Sequence, residues 1–390
     1  MRVLLASTGT RGDVQPLIAL GQRLRANGHE VVVAAAPCFR DEAIRFGLSF
    51  ESMGRDVEAW LREARSASPL GLIQLLNRAL TAELVSQFEV LPDLARAADV
   101  VVGAGAVLAG TSAAQLAGVS YRYIAYTAQT VRSDEYMPTV LPFQNMPRWL
   151  NRIAWSACRW FYDRLLLAPL NVERTKRGLP AVTNTADAFS PPGATVLALD
   201  RQLSLPTNLD CTGAWLVRDE RPLPAGLSAF LEKRPIFASF GSMPDPNPRR
   251  TGAMLGKAAL RLGRPLITTS QAEGEHVYWL RESVNHSALF AHASVIVHHG
   301  GAGTTAAASR SGAPQVIVPH GGDQFGFANR AHALGVAPRP LPRTAMSVER
   351  LVSAIEQAEA CRDSARAMSM ELRTNDGLAQ MVRHLESLTS

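Results

Sequence analysis

The stretch His298-His299-Gly300-Gly301-Ala302-Gly303-Thr304-Thr305 follows a short apolar segment, 293–297, and leads into a helix-compatible segment, 306–312. A strand that ends in a glycine-rich turn and opens a helix is a common anion site. The glycines let the backbone come close to a ligand, and the first N–H groups of the helix are unpaired at the positive end of its dipole. A lone GxG is as often simple punctuation between strand and helix. Two adjacent histidines, three glycines and two threonines in one turn favour the anion site.

The side chains of this turn add further donors. His299 can donate a ring N–H to a phosphate oxygen, and Thr304 and Thr305 can donate their hydroxyl groups. We therefore predict that an anion binds at the start of this helix.

A second unit of the same kind opens the chain. Residues 2–6 form an apolar strand pattern, residues 7–13 read Ser-Thr-Gly-Thr-Arg-Gly-Asp, and a helical pattern covers 14–27. Pro16 is expected in the first helical turn, where its missing N–H costs nothing. Asp13 is either the N-cap of this helix or a carboxylate offered to a ligand. Two such units, one in each half, predict two nucleotide-binding-like domains that face each other.

Apolar strand patterns and helical patterns alternate in both halves of the chain. This alternation predicts an α/β fold with parallel sheets covered on both faces. Strands are expected at 3–6, 30–35, 100–102, 121–126, 195–198, 236–240, 266–268, 295–297 and 315–318, and helices at 14–27, 41–46, 70–97, 110–117, 249–262, 304–311, 324–334 and 348–359.

The 390 residues are expected to form two domains. A segment rich in Gly, Pro and charge, 210–227, is the expected linker, with an N-terminal domain at 1–209 and a C-terminal domain at 228–370. A final helix at 361–388 is interrupted near 375–377, and residues 371–390 form a separate last segment.

Two helix-rich insertions, 56–92 and 128–190, break the alternation in the first half. They carry aromatic side chains that are candidates for an acceptor pocket, namely Phe88, Tyr136, Phe143 and Trp149. Ordinary helix packing is the alternative explanation for these aromatics.

The chain has a formal net charge of +6, with the basic residues dispersed. Arginines alternate with tryptophans over 148–164, which first suggests nucleic-acid binding. The spacing fits an amphipathic helix better, with packed aromatics and with arginines that are either solvated or paired with ligand phosphates. No nucleic-acid motif accompanies it.

The four cysteines have no metal-ligand spacing, which indicates buried free thiols in a reducing cytosol. The first apolar run lacks a basic leader and is expected to be a strand. No apolar run reaches 18 residues, so we expect a cytoplasmic protein with at most peripheral membrane contact.

The two glycine-rich segments together resemble a known family. Gly9-Thr-Arg-Gly-Asp-Val-Gln-Pro16 and the 298–305 motif are similar to those of family 1 bacterial natural-product and sterol glycosyltransferases, nearest to the glycopeptide-antibiotic enzymes. Phe237-Ala-Ser-Phe-Gly-Ser242, Pro314-Gln-Val-Ile-Val-Pro319 and Asp323-Gln324 follow in the family's order. The resemblance spans about residues 1–340. It implies the GT-B fold, two Rossmann-like domains across a cleft, with the last helix crossing back to the N-terminal domain.

The resemblance implies an inverting transfer from a UDP- or dTDP-sugar to a hydroxyl of a hydrophobic natural product, sterol or glycolipid. Asp13 would be the general base, with Thr10, Arg11 and Gly12 of the same loop near the donor. A helix N-terminus is expected to lower the pKa of Asp13 unless burial offsets this. The strand near 100–102 ends without an acid, so Asp13 is expected to act alone.

The donor site is expected mainly in the second half. The backbone at 301–304, His299 and Ser242 would hold the diphosphate, Asp323 and Gln324 the sugar hydroxyls, and the backbone of Val284 the pyrimidine. An N-cap is the alternative role for Asp323. No Asp-x-Asp pair lies at a strand end, which predicts that no metal and no cofactor beyond the sugar nucleotide is needed.

One alternative is a catalytically silent relative that activates a partner glycosyltransferase. Loss of Asp13 or of the 298–305 motif would favour it, and both are present. A sugar-nucleotide epimerase of the same fold is a third hypothesis, for which we find no matching acidic residues.

Overall fold

The computed structural model describes residues 1–56, 69–142, 144–241, 245–281, 284 and 286–389. The strands are β1 (Arg2–Thr8), β2 (Glu30–Ala35), β3 (Ser49–Ser52), β4 (Val100–Gly105), β5 (Ser120–Ala125), β6 (Thr195–Leu197), β7 (Asp210–Cys211), β8 (Ile236–Ser239), β9 (Leu266–Thr268), β10 (Val277–Trp279), β11 (Val295–His298) and β12 (Gln315–Ile317). The helices are α1 (Arg11–Ala26), α2 (Arg40–Arg45), α3 (Pro69–Arg96), α4 (Gly110–Ala117), α5 (Arg148–Lys176), α6 (Thr185–Phe189), α7 (Ser228–Leu231), α8 (Pro248–Arg261), α9 (His286–Phe290), α10 (Ala302–Ser311), α11 (Gln324–Ala333), α12 (Val348–Glu359), α13 (Arg362–Arg373) and α14 (Gly377–Glu386).

The strands form two parallel sheets. One has the order β3-β2-β1-β4-β5-β6-β7 and the other the order β10-β9-β8-β11-β12. The chain reverses direction across the first sheet between β1 and β4, and across the second between β8 and β11. Ligands of open parallel sheets bind beyond the carboxyl ends of the strands at such switch points. The loops after β1 and β11, which the sequence singles out, lie at these two points.

The α/β fold with parallel sheets is confirmed. The central strands β1, β4, β8 and β11 are almost wholly buried, as expected for sheets covered on both faces. The sequence did not predict β3, β7 and β10, which lie at sheet edges or are only two to four residues long. Among the described residues, no helix is long and apolar enough to cross a membrane.

Two helices begin two or three residues earlier than the sequence predicts. The helix after β1 starts at Arg11, and the helix after β11 starts at Ala302. Pro16 therefore lies inside α1 and not in its first turn, where the sequence predicts it. Its missing N–H removes the hydrogen bond that the Gly12 carbonyl would receive, so its position is not free of cost.

The end of the chain connects the two sheets. The helical pattern breaks between α13 and α14, as predicted, and α13 packs against α10 while α14 packs against α1. An ion pair also joins α10 to the segment between β6 and β7. The Arg310 guanidinium of α10 donates to both carboxylate oxygens of the buried Asp200, at 2.6 and 3.1 Å. These contacts fix α10 relative to the first sheet.

The helix α5 corrects one prediction. Its aromatics were expected to pack and its arginines to be solvated, but only Trp155 packs against the core, and its indole N–H donates to the Tyr136 carbonyl at 2.9 Å. Trp149 and Trp160 are exposed. The helical repeat of the sequence predicts that one face of α5 is buried. It does not identify which of the aromatic side chains lie on that face.

Candidate active site

The loop between β1 and α1 is built around the carboxylate of Asp13. Thr10 is the N-cap of α1, so Asp13 is the third helical residue and not the cap itself. Its Oδ2 accepts hydrogen bonds from Thr10 N at 2.8 Å and from Thr10 Oγ1 at 3.2 Å. A Cβ on Gly9 would lie 2.2 Å from Oδ2, so only glycine leaves room for the carboxylate.

Burial raises the pKa of the Asp13 carboxyl above its ordinary value, against the smaller opposite effect of the two Thr10 hydrogen bonds. The lowering expected from the helix N-terminus is thus outweighed. A carboxylate with a raised pKa is a stronger base. Within the described residues, no hydrogen bond to its other oxygen, Oδ1, competes with an incoming acceptor hydroxyl.

Two tyrosines hold the backbone around Asp13, and sequence reasoning missed both. The Tyr126 hydroxyl donates to the Asp13 carbonyl at 2.8 Å, and the Tyr123 hydroxyl donates to the Gly105 carbonyl at 3.1 Å. Gly105 has φ +63°, and a Cβ there would lie 2.2 Å from the Thr8 carbonyl oxygen. The ends of β1 and β4 can therefore approach each other only because residue 105 is glycine.

A buried network of polar side chains also supports the loop between β1 and α1. Thr8 donates to Glu83 Oε1 at 3.0 Å, and the Gln87 amide donates to Thr8 Oγ1 at 3.1 Å and to the Ala106 carbonyl at 2.9 Å. Both acid and amide come from α3, so no local motif in the sequence reveals them. The network fixes the residue that precedes Gly9.

The start of α10 lacks any internal cap. Gly301 occupies the N-cap position without a side chain, and the first hydrogen bond of the helix runs from Thr305 N to Gly301 O at 2.9 Å. The N–H groups of Ala302, Gly303 and Thr304 therefore remain available, as predicted for an anion site. A Cβ on Gly303 would meet no atom within 4 Å, so the space beyond it is open.

The two adjacent histidines of this turn have different roles. His298 is buried, with its Nε2 2.9 Å from Gln315 Oε1, and its Nδ1 accepts from Gly300 N at 3.1 Å. It thus holds the turn in place. His299 packs over the helix start, since a Cβ on Gly301 would lie 2.6 Å from its Nε2. His299 Nδ1 is buried without a partner among the described residues.

Burial lowers the pKa of His299 to about 3, with further lowering from the neighbouring rings of His298, His320 and His286. The imidazole is therefore neutral at physiological pH. A neutral imidazole can still donate one N–H to a phosphate oxygen. Charge compensation at this site then depends on backbone dipoles more than on a cationic side chain.

Asp323 and Gln324 lie at the start of α11. Asp323 is at the N-cap position, but its side chain makes no capping hydrogen bond. Gln324 Oε1 accepts from His320 N at 2.8 Å and Gly321 N at 3.2 Å, so it folds over its own loop. The carboxyl of Asp323 and the NH₂ group of Gln324 are the parts left for a sugar.

Contacts between the two units bring these sites close together. Helix α1 touches α10, and the negative charge of Asp13 adds to burial in raising the pKa of Asp323 to about 7. The charge of Arg11 likewise adds to burial in lowering the pKa of His286 to about 4. Groups at the start of α1 thus lie within electrostatic range of the start of α11 and of α9.

The other predicted donor residues are placed less directly. Arg11 donates to Glu42 Oε1 at 3.2 Å, and Gly12 is exposed beside it. Val284 packs at the margin of the second sheet's core, near Phe290. Ser242 and the aromatic Phe143 lie outside the described residues.

The remaining aromatics predicted for the acceptor do not converge on Asp13. Phe88 is fully buried, with the Arg177 guanidinium 4.8 Å from its ring centre, and Tyr136 is buried with its hydroxyl donating to the Ala128 carbonyl at 3.0 Å. Trp149 lies on the exposed side of α5. For Phe88 and Tyr136, the packing explanation that the sequence left open accounts for what the structure shows.

No group of three or more His, Cys, Asp or Glu side chains in the described part of the chain could hold a metal ion. The predicted metal independence needs an experiment, because this geometry does not test it.

Known proteins match both halves of the chain. Residues 3–121 match the glycosyltransferase family 28 N-terminal domain, and residues 279–388 match the C-terminal domain of erythromycin biosynthesis protein CIII-like proteins.

Full-length relatives agree with these matches. Glycosyltransferase GtfE of Amycolatopsis orientalis is 35% identical over 86% of this chain and 85% of its own length. The vancomycin aglycone glucosyltransferase of the same organism is 31% identical, covering 99% of this chain and 97% of the relative. Sterol 3-beta-glucosyltransferase UGT80B1 of Arabidopsis thaliana is 28% identical, covering 99% and 68%.

Among solved structures, glycosyltransferase VinC in complex with DTDP superposes with a TM-score of 0.73 and 20% identity, covering 100% of this chain and 99% of VinC. The fold is therefore that of the two-sheet GT-B glycosyltransferases. The chain belongs to the family of the glycopeptide-antibiotic and sterol glycosyltransferases, and it is a transferase of this type.

Proposed function

We propose that the protein transfers a sugar from a UDP- or dTDP-sugar to a hydroxyl of a hydrophobic natural product or lipid, with inversion at the anomeric carbon. One observation carries the proposal: the Asp13 carboxylate, with a raised pKa and an uncommitted Oδ1, lies in the first turn of α1, and α1 contacts α10, whose start is uncapped. A base and an anion site on opposite walls are what this reaction requires.

In the proposed reaction, Asp13 Oδ1 takes the proton of the acceptor hydroxyl. The acceptor oxygen attacks the anomeric carbon from the side opposite the diphosphate. The bond between that carbon and the diphosphate oxygen breaks, its electron pair stays on the diphosphate, and the configuration inverts. The network behind Thr8 and the tyrosines at Asp13 and Gly105 keep the base in position.

The leaving diphosphate would be stabilised by the N–H groups at the start of α10 and by a neutral His299. Asp323, with a pKa of about 7, and the amide of Gln324 would bind sugar hydroxyls. No metal and no other cofactor takes part in this proposal. We place the reaction in the cytoplasm, in keeping with the free thiols of Cys158, Cys211 and Cys361. These thiols are half-buried, and not buried as the sequence predicts.

The test is a transfer assay with UDP- and dTDP-sugars and a panel of hydrophobic aglycones, sterols and glycolipids. NMR of the product gives the anomeric configuration. An α-linked donor should yield a β-linked product. A product with retained configuration would reject Asp13 as a simple base, and donor turnover without transfer to any hydroxyl compound would reject the acceptor class.

A further inference from the structure

Most of the large apolar side chains that the described residues expose belong to the single helix α5. Trp149 is 58% exposed, Ile153 55% and Trp160 68%. Isolated exposed apolar residues are common on proteins, but several large ones on one helix mark an interaction surface.

These three residues share one face of α5. At 100° per residue, positions 149, 153 and 160 fall within about 40° of each other, and they span roughly 17 Å of helix. The side of α5 that faces away from these residues packs into the core through Trp155 and Leu166. We call the exposed set Trp149, Ile153 and Trp160 the α5 stripe.

Arginines border the α5 stripe. Arg152 lies beside it with an ion-pair distance of 3.7 Å to Asp134, and Arg159 lies 3.6 Å from Asp163. Exposed pairs of this kind contribute little and exchange readily for another anion. Arg164, exposed and in line with the stripe, has no ion pair among the described residues. Tryptophan with arginine at the edge of an apolar face is typical of helices that lie in a membrane interface.

The helix that carries the α5 stripe also holds a segment that reaches the second unit. From its inner face, α5 holds residues 128–142 through Asn151, whose side-chain amide donates to the Asp134 carbonyl at 2.7 Å. That segment extends to the second unit, where a Cβ on Gly326 would lie 2.6 Å from Gln129 Oε1. The segment that α5 holds therefore lies next to α11, whose N-cap residue is Asp323.

We propose that the α5 stripe docks on an anionic phospholipid surface, with its tryptophans at the interface and Arg152 and Arg164 against lipid phosphates. The stripe is a convex ridge on one helix, which suits a soft planar surface better than a groove in a partner protein. The net charge of +6 favours an anionic membrane over a neutral one. This proposal deepens the proposed function, because a membrane-bound site would receive a hydrophobic acceptor from the bilayer.

The test is flotation of the full-length protein with vesicles of phosphatidylcholine containing 30% phosphatidylglycerol, and with vesicles of phosphatidylcholine alone. We expect binding to the anionic vesicles that weakens with added salt. The variant Ile153→Gln/Trp160→Gln should lose at least tenfold in binding. The matched control Leu260→Gln/Met370→Gln changes two equally exposed apolar residues on helices α8 and α13 and should bind normally. A third variant, Arg152→Gln/Arg164→Gln, should lose binding only to the anionic vesicles.

Absence of wild-type binding would overturn the proposal, as would equal loss in the stripe variant and the control. If light scattering instead shows a dimer that only the stripe variant dissociates, without vesicle binding, the stripe is an interface between two copies. Hydrolysis of UDP- and dTDP-sugars in solution is measured on the same samples. It should be unchanged within twofold in the stripe variant, so failure of membrane docking is distinguished from failure of the proposed transferase reaction.

Discussion

The loops after β1 and β11 are built from similar sequence, a glycine-rich turn that opens a helix, yet the two helix starts differ chemically. Helix α1 has its own anion at its start, because the Asp13 carboxylate folds back and accepts hydrogen bonds from the N–H and the hydroxyl of the N-cap residue Thr10. Helix α10 has Gly301 at the N-cap position, where α1 has Thr10, and it leaves its first N–H groups unpaired. One start is filled by a carboxylate of the chain, and the other is open to a ligand.

This difference assigns the two halves of the reaction. A filled N-terminus cannot bind a diphosphate as well, but it offers a positioned carboxylate as a base. An open N-terminus offers dipoles and N–H groups to a leaving anion.

Replacing Asp13 with Asn should lower the transfer rate by roughly two to four orders of magnitude, because the proton acceptor is lost. The Asn side chain still accepts a hydrogen bond from Thr10 N, so thermal stability and donor affinity should be retained. Asp13→Ala removes that bond and should also cost about 1 kcal/mol of unfolding free energy. Steady-state kinetics and thermal denaturation provide both measurements. Near-normal turnover in Asp13→Asn would leave Asp13 with only a structural role.

Replacing His299 with Ala should weaken donor binding and lower turnover by about one to three orders of magnitude, because a donor to the diphosphate is lost. Calorimetric titration with UDP and dTDP measures the affinity. His298→Ala provides a comparison, since His298 bonds only within the protein and its loss should destabilise the fold. Unchanged affinity of His299→Ala for both nucleotides would remove this residue from the site.

Replacing Asp323 with Asn should change the pH dependence of stability. The pKa of Asp323 is raised to about 7 by burial and by Asp13, so the folded state resists its ionisation. The wild-type unfolding free energy should therefore fall as the pH rises from about 4 to 7, and the variant should lack this component. At pH 8 the variant should gain roughly 4 kcal/mol of unfolding free energy over wild type, compared with the difference at pH 4, because each pKa unit corresponds to about 1.4 kcal/mol.

Urea denaturation across this pH range provides the measurement. Asp41→Asn, an exposed acid of α2, controls for the loss of one charge. Parallel curves for wild type and Asp323→Asn would show that the carboxyl is not held in its neutral form.

Removal of divalent metal should have the smallest effect. The diphosphate charge is met by the start of α10 and by His299, so activity in excess EDTA should stay within about twofold. A complete loss that magnesium restores would show that the open helix start is insufficient for the leaving group.

Much of the frame could be predicted because its signals are local. Strand, glycine turn and helix succeed each other at 1–27 and 295–312, and hydrophobic periodicity is enough to recognise them. The short edge strand β10 could not be predicted, because its few residues pair with β9 only through tertiary contacts.

The site was predictable only in part. The motif identified Asp13 and His299, but Glu83 reaches Thr8 from 75 residues away, and Tyr126 reaches Asp13 from 113 residues away. Packing also decides what an aromatic does. Phe88 and Trp149 are indistinguishable as candidates in the sequence, yet the structure buries one in the core and exposes the other.

The most direct test of the division between the two helix starts is to give α10 the carboxylate that α1 already has. Gly303 is exposed with no neighbour near its Cβ position, so Gly303→Asp and its uncharged counterpart Gly303→Asn both fit. UDP and dTDP are titrated into each variant. The Asp variant should bind roughly a hundredfold more weakly than the Asn variant, because a negative charge within about 5 Å repels the diphosphate. Equal affinities would contradict the account, since the diphosphate would then bind somewhere other than the start of α10.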